Sequence, residues 1–490
     1  MKTQLLKKAN KAAKTIAAAL LVGCSANIGN AQEVTGYTAT QLTEMLGTGW
    51  NLGNSLDAVG GKGNGSETSW GNPATTQAMI DSIRKIGFKT IRIPVSWCQH
   101  TYDATGGGEI EGYEYKIYPN WMNRVKEVVD YAYHRGMFVI INIHHDNDIE
   151  KRDMQYGCFS PQTKYKEESL TYVREIWEQC AEAFAEYDQR LIFETLNEPR
   201  VIKNANEWWF WPVDNPNQQI VVTAMDIINQ MNQAGVDAVR KNGQGHNKER
   251  MILVPGYAAC PDGVISSNFV KPTDPSNMIG LEVHAYRPTE LCLNGTKTTM
   301  TDADCEKVRT EVFEPLSNKW VKNGTPVIID ETSCSNKNNM EARLEWVKCF
   351  YGMSKEYNMP CVLWDNNTRV NKSNPGEVHG FFNRQQCHWD EENLPFITEL
   401  FKTLDLTMWS SSENQLADNV SISIDKENIY VECPDMIENV RIFNTNGQIV
   451  DDKEVNSTNA IINITSLKSG FYLAMISTDK GSISKKFVVK

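Results

Sequence analysis

Residues 191–200 read LIFETLNEPR, an apolar β-like run that ends in a cluster of polar and acidic side chains. Seven further runs share that form: GTGWNLGN (47–54), TIRIPVSW (90–97), MFVIINIHHD (137–146), RMILVPGYA (250–258), IGLEVHAYRP (279–288), TPVIIDET (325–332) and PCVLWDNN (360–367). Amphipathic stretches such as TTQAMIDSIRKIGF and WMNRVKEVVDYAYHRG lie between them, the second closing on a glycine as helices often do. Several runs are apolar on both faces, as strands covered on both sides must be. Eight strand–helix units over residues 45–405 predict a (β/α)8 TIM barrel with insertions. An open doubly wound sheet is the alternative, but no GxGxxG follows the first strand. Polar and aromatic residues gather where the runs end: Asn51, Asn54, Trp97, His144, His145, Asp146, Asn197, Glu198, His284, Tyr286, Glu331 and Trp364. A barrel builds its functional site on that rim.

The 490-residue chain carries a formal charge of −12, which argues against nucleic acid or an anionic membrane as main partner. A neutral polymer fits better. At the N-terminus, basic MKTQLLKKANKAAK precedes a short apolar stretch and a polar run to GNAQE, so residues 1–31 are expected to be a signal peptide. LVGC at 21–24 also resembles a lipoprotein cleavage box, which would leave Cys24 lipidated; ordinary cleavage is the favoured reading. No later segment reads as transmembrane. The export this implies makes the protein secreted or attached to the cell surface, and it is expected to be a monomer. None of the twelve cysteines forms a CxxC pair. Cys292 and Cys305 flank one polar loop and are candidates for a disulfide, whereas Cys180 and Cys349 sit in helical patterns and read as buried thiols.

Composition changes after residue 405. TMWSSSENQLADN, around 406–416, reads as a linker. Residues 417–490 hold short alternating runs with turn signals at 446–447 and 468–470, predicting a small all-β sandwich. VRIFNTNGQIV, LKSGFYLAMIS and the terminal KKFVVK resemble the C-terminal sorting domain of type IX secretion cargo. That resemblance implies export by the type IX machinery. A carbohydrate-binding module is the alternative, against which stand the small size, the terminal position and the lack of an exposed tryptophan row.

Glu194 and Glu198 share a face if 191–198 is extended, and four residues of strand separate them by roughly 13 Å. Two carboxyls that cleave a glycosidic bond stand about 5–5.5 Å apart with retention and about 6.5–9.5 Å apart with inversion. The local pair is therefore no dyad. Glu198 lies at the rim; Glu194 lies inside the barrel and needs a partner, for which Arg92 and His144 are candidates. A second working carboxyl must come from another strand end. Glu331 is the best candidate, Asp330 competes with it and Asp146 is third. Strand alternation lets only one of Asp330 and Glu331 face the site.

In chain order, GWNLGNSLDA (49–58), ETSWGNP (67–73), IRIPVSW (91–97), VIINIHHD (139–146), LIFETLNEPR (191–200), VHAYRP (283–288), PVIIDE (326–331) and LWDNN (363–367) resemble the motifs of glycoside hydrolase family 5, and most closely its subfamily 4 of endo-β-1,4-glucanases and xyloglucanases. The resemblance covers residues 45–405, within a catalytic domain placed at 35–405. It implies retaining, endo-acting cleavage of a β-1,4-glucan, with Glu198 as general acid/base and Glu331 as nucleophile. Asn54, Arg92, His144, His145, Asn197, His284, Tyr286 and Trp364 would surround the sugar, and no cofactor is implied. The acid needs a raised pKa and the nucleophile must stay ionised. A mannanase or xylanase on the same scaffold is an alternative, as is a non-catalytic glycan-binding protein. The sequence departs from the family at IDETS, where a glycine and an aromatic commonly flank the glutamate. Trp208, Trp209, Phe210 and Trp211 either stack on sugars or pack their loop on the barrel. His144 and His145, adjacent on a strand, would point apart and so would not share a metal ion.

Overall fold

The computed structural model describes residues 33–60, 63–102, 110, 112–150, 157–210, 218–241, 243–293, 296–369, 377–408, 420–425, 427–444, 448–478 and 481–489. The expected signal peptide, Cys24, most of the linker, Trp211 and the turn at 446–447 lie outside them. The chain forms two compact units that divide after Leu404.

In the first unit eight parallel strands close into a barrel: β1 (Gly49–Leu52), β2 (Thr90–Ile93), β3 (Phe138–Asn142), β4 (Leu191–Glu194), β5 (Ile252–Val254), β6 (Ile279–His284), β7 (Val327–Thr332) and β8 (Cys361–Asp365). They pair in sequence order and β8 returns to β1, which excludes the open doubly wound sheet. Every residue of these strands is buried, because helices such as Pro119–Tyr133, Lys166–Ala183 and Met340–Glu356 cover the outside. At the N-terminal end of the barrel, Leu42 and Leu46 pack on Ile140, Ile192, Leu253, Ile328 and Val362. The helix Ala39–Met45 that carries Leu42 is held by a Thr38–Gln41 capping box. Apolar side chains thus fill that end, and the polar ones are left to the other.

Two local features shape the polar end. A Cβ on Gly53 would stand 2.6 Å from the Trp364 ring, so only glycine lets the chain after β1 pass beneath that indole. Strand β7 carries a bulge: Ile329 pairs with Cys361 and Thr332 with Leu363, so three steps on β7 match two on β8. The alternation expected for Asp330 and Glu331 is broken there. Both side chains turn inward, with Asp330 Oδ2 3.7 Å and Glu331 Oε1 2.7 Å from Arg92.

Disulfides join Cys98 to Cys158 and Cys305 to Cys349. The expected Cys292–Cys305 bridge is absent, and Cys349 is a bridge partner rather than a free thiol. Cys180 is a buried free thiol, as is Cys292. Cys292 lies beside Cys334, with its carbonyl accepting from the Ser335 amide at 3.1 Å. A short hairpin, β9 (Phe382–Asn383) and β10 (His388–Trp389), follows β8.

The second unit is antiparallel: β11 (Ser421–Ile424), β12 (Asn428–Phe443), β13 (Ile449–Asn463), β14 (Gly470–Thr478) and β15 (Gly481–Val489). The long β12 pairs with β11 through its first half and β14 through its second, with register shifts between Glu432 and Asn439. All five strands belong to one sheet, and its core unites Ile429 and Val431 with Ile442, Ala474, Ile476 and Phe487. Among the described residues no helix is long and apolar enough to cross a membrane.

Candidate active site

The polar end of the barrel opens into a cleft of about 720 Å3. Asn54, His144, His145, Asn197, Glu198, Trp208, Trp209, His284, Tyr286, Glu331 and Trp364 all line it, so the barrel brings together residues spread over more than 300 positions. Arg92 is fully buried just below.

Arg92 organises the floor. Its Nε and Nη2 donate to the two oxygens of Glu194 at 2.6 and 2.7 Å, a bidentate pair. Nη1 donates to Glu331 Oε1 at 2.7 Å and Asn51 Oδ1 at 3.0 Å, and Nη2 also to Asn197 Oδ1 at 2.7 Å. Burial works to raise the Glu194 carboxyl, but Arg92's charge and hydrogen bonds outweigh it and hold Glu194 down at about 2. Glu194 is therefore a permanent counter-ion inside the barrel. His144 does not touch it directly; Asn142 Nδ2 bridges the two, at 2.8 Å to Glu194 and 3.1 Å to His144 Nδ1.

That bridge fixes a tautomer. Asn142 Oδ1 accepts from the Val95 amide, so Asn142 Nδ2 must face His144 Nδ1 as donor. His144 Nδ1 accepts, and its hydrogen sits on Nε2. Burial, then the neighbouring His145, hold His144 well below the usual imidazole range, so it is neutral. The two histidines do not point apart as strand alternation implies, because β3 ends at Asn142. Their rings meet at 4.3 Å, and both Nε2 atoms lie 3.8 Å from Asp57 Oδ2. A protonated Nε2 is a hydrogen-bond donor rather than a metal ligand, which speaks against an ion there.

Glu198 and Glu331 meet across His284. His284 Nδ1 is 2.8 Å from Glu198 Oε1 and 3.4 Å from Glu331 Oε2, and one oxygen of each carboxyl lies within 4.8 Å of the other. Tyr286 Oη donates to Glu331 Oε2 at 3.0 Å. The charge pattern differs from the expectation for an isolated acid and an isolated nucleophile. Burial acts to raise Glu198, but the His284 hydrogen bond and charge bring it below its usual value. Burial works against the charged form of His284, yet Glu331 and Glu198 raise it to about 9. Burial lifts Glu331, against the pull of His284 and Arg92. His284 is therefore the protonated partner of this cluster, with its Nδ1–H directed at Glu198 Oε1.

Asp146 is a scaffold residue: it is fully buried and accepts from the Trp97 and Cys98 amides and from Tyr172 Oη. Of the loop aromatics, Phe210 is buried against Tyr257, whereas Trp208 and Trp209 are 48% and 44% exposed on the cleft wall. The Arg200 guanidinium lies 3.8 Å from the Trp208 ring. Trp70 and Glu377 are among the wall residues that the sequence reading does not single out. Trp70, 43% exposed, lies against His145 with ring centroids 5.3 Å apart and the rings tilted by 45°; its presence in ETSWGNP was the available signal. Glu377, raised to about 7 by burial and then by Glu331 and Glu198, had none, since it follows no strand.

A barrel whose mouth joins two carboxyls, an arginine-held floor and exposed indoles describes a carbohydrate-active hydrolase. Residues 56–370 match the cellulase family, glycosyl hydrolase family 5, and residues 417–490 match a secretion-system C-terminal sorting domain. Endoglucanase A of Clostridium longisporum is 35% identical over 79% of this chain and 71% of its own length. Endoglucanase A of Ruminococcus albus is 36% identical, over 73% and 91%. Among solved structures, a broad-specificity endoglucanase of subfamily 4 from Ruminococcus flavefaciens is 37% identical with a TM-score of 0.66, covering 76% of this chain and 99% of that one. A family 5 lichenase from Caldicellulosiruptor sp. F32 is 33% identical with a TM-score of 0.67, over 76% and 97%. The chain belongs to glycosyl hydrolase family 5 and is an endoglucanase-type glycoside hydrolase with a C-terminal sorting domain.

Proposed function

We propose that this protein cleaves β-1,4-linked glucan chains internally, with retention at the anomeric carbon, after export by the type IX machinery. The observation that supports the retaining mechanism is the close approach of Glu198 and Glu331, one oxygen of each lying within 4.8 Å of the other, which is nearer the spacing of a retaining pair than that of an inverting one. Glu331 attacks the anomeric carbon to form a glycosyl ester, while the proton held by Glu198 and His284 passes to the departing glycosidic oxygen. Glu198 then takes a proton from water, which attacks the same carbon and releases Glu331. Arg92 and Tyr286 hold Glu331 through one oxygen each, stabilising its ionised form and fixing its direction of attack. Asn197, its oxygen engaged by Arg92, presents its amide N–H groups, and His144 its Nε2–H, to sugar hydroxyls. Trp364, Trp70, Trp208 and Trp209 supply flat apolar faces for pyranose rings.

Support for a glucan comes from the relatives: one solved subfamily 4 endoglucanase, 35% identical, holds cellotriose, and another family 5 neighbour is a lichenase. The test has two arms. Product profiles on carboxymethylcellulose, mixed-linkage glucan, xyloglucan, glucomannan and xylan should show internal cuts in glucans; release confined to mannan or xylan would overturn the substrate class. A 2-deoxy-2-fluoro cellobiosyl donor should leave its adduct on Glu331, and an adduct elsewhere would overturn the assignment.

A further inference from the structure

Beneath Glu198 and Glu331, the barrel holds two acids that the reaction above does not use. Glu282 of β6 and Asp330 of the β7 bulge are fully buried. None of their four oxygens has a hydrogen-bond donor partner among the described residues. Neither nearby cation, Arg92 nor His284, comes within hydrogen-bond distance of them. An arginine has five N–H groups, and those of Arg92 go to Glu194 (two), Glu331, Asn51 and Asn197. Asp330 stands 3.7 Å from Nε without receiving it. His284 Nε2 is 3.6 Å from Asp330 and 4.0 Å from Glu282. Two more buried carboxylates with no donor would strongly destabilise the folded chain, and their charge would compete with Glu331 for Arg92.

We propose that Glu282 and Asp330 are held as neutral carboxylic acids that donate hydrogen bonds to Glu194, and that they serve as positioning residues keeping Arg92 directed at Glu331. The proposal rests on the reading of Glu331 as nucleophile. Each acid has a carboxyl oxygen within 4.8 Å of one of Glu194, the one carboxylate here with strong ionisation. The charged or titratable groups facing the pair are Arg92 from β2, Glu194 from β4, His284 on β6, Glu331 on β7 and the Cys361 thiol on β8. Burial, then the charge of Glu194, pushes both acids well above the usual carboxylate range. In this arrangement the β7 bulge does two things: it delivers Glu331 to the cleft and places a protonated neighbour under it.

The sign of the pH dependence separates this from an ionised pair. Both groups are protonated in the folded chain and ionise near their ordinary values in the unfolded one. Their contribution to wild-type stability is full at acid pH and lost as pH rises toward their folded pKa. Amides do not titrate, so Glu282→Gln with Asp330→Asn should melt with the wild type near pH 4 and about 5 °C above it at pH 8. The same variant should keep kcat/KM within about threefold, whereas Glu282→Ala with Asp330→Ala should lose about tenfold or more, a loss the amides rescue. An amide variant that melts below the wild type at pH 8 overturns the proposal. So does a stoichiometric metal ion in the purified enzyme that the amide variant lacks, because the four groups Glu194, Glu282, His284 and Asp330 converge closely enough to cage a cation. The melting experiment does not depend on activity, so its failure is distinct from failure of the glucanase reading.

Discussion

The mouth and the interior of the barrel hold the same chemical groups, carboxyls around a cation, and use them differently. At the mouth, a protonated His284 stands between Glu198 and Glu331, and all three face the cleft. In the interior, Arg92 and Glu194 are fully buried and ionised, spending their hydrogen bonds on each other and on the residues above. Exposure decides the role: a group that must move a proton needs access to substrate and a poised pKa, while a fully paired ion fixes geometry.

The largest effect that would sharpen this contrast is at the mouth. Glu331→Gln should lower kcat by about 10⁴-fold or more, near 5.5 kcal/mol of barrier. Glu198→Gln should lose about 10²–10⁴-fold on polysaccharide, but far less on an aryl glycoside whose leaving group needs no proton. Equal losses on both substrates would break the assignment of Glu198 as the acid. In the interior, Arg92→Met should destabilise the fold by about 3–5 kcal/mol in denaturant titration, because the buried Glu194 charge loses its counter-ion. A change confined to kcat would move Arg92 from scaffold to chemistry. A smaller effect concerns pH. His284 is raised in the folded chain, so its contribution to stability is full below about 6.5 and lost as pH rises through about 9. His284→Asn should lack that alkaline loss in melting scans. The smallest effect is on the cleft wall, where Trp209→Ala should raise KM by roughly tenfold with kcat little changed, as loss of a stacking surface implies.

Much of the mouth was legible because a strand end is a local signal. Asn197–Glu198, His284, Tyr286 and Glu331 each follow an apolar run, and barrel closure carries every such end to one place. The failures share a cause. Asp330 and Glu331 were set against each other by alternation, and the β7 bulge, visible only in the pairing of β7 with β8, turns both inward. The same rule separates His144 and His145, but it is applied beyond the end of β3, which stops at Asn142. Cys305 was paired with a loop neighbour, Cys292, yet its partner is Cys349 on the helix Met340–Glu356. Trp70 stood in a quoted motif but after no strand, so no rim argument reached it.

The sequence by itself determined the repeated strand–helix pattern, the acidic and polar strand ends, the break in composition near residue 405 and the family motifs, because hydrophobic period and side-chain type are local properties. Only the tertiary structure decided which carboxyls meet, which way β7 turns its two acids, which cysteines bond and which nitrogen of His144 carries its proton. Those depend on register, closure and the spending of each donor on one acceptor, and such constraints act between residues distant in the chain.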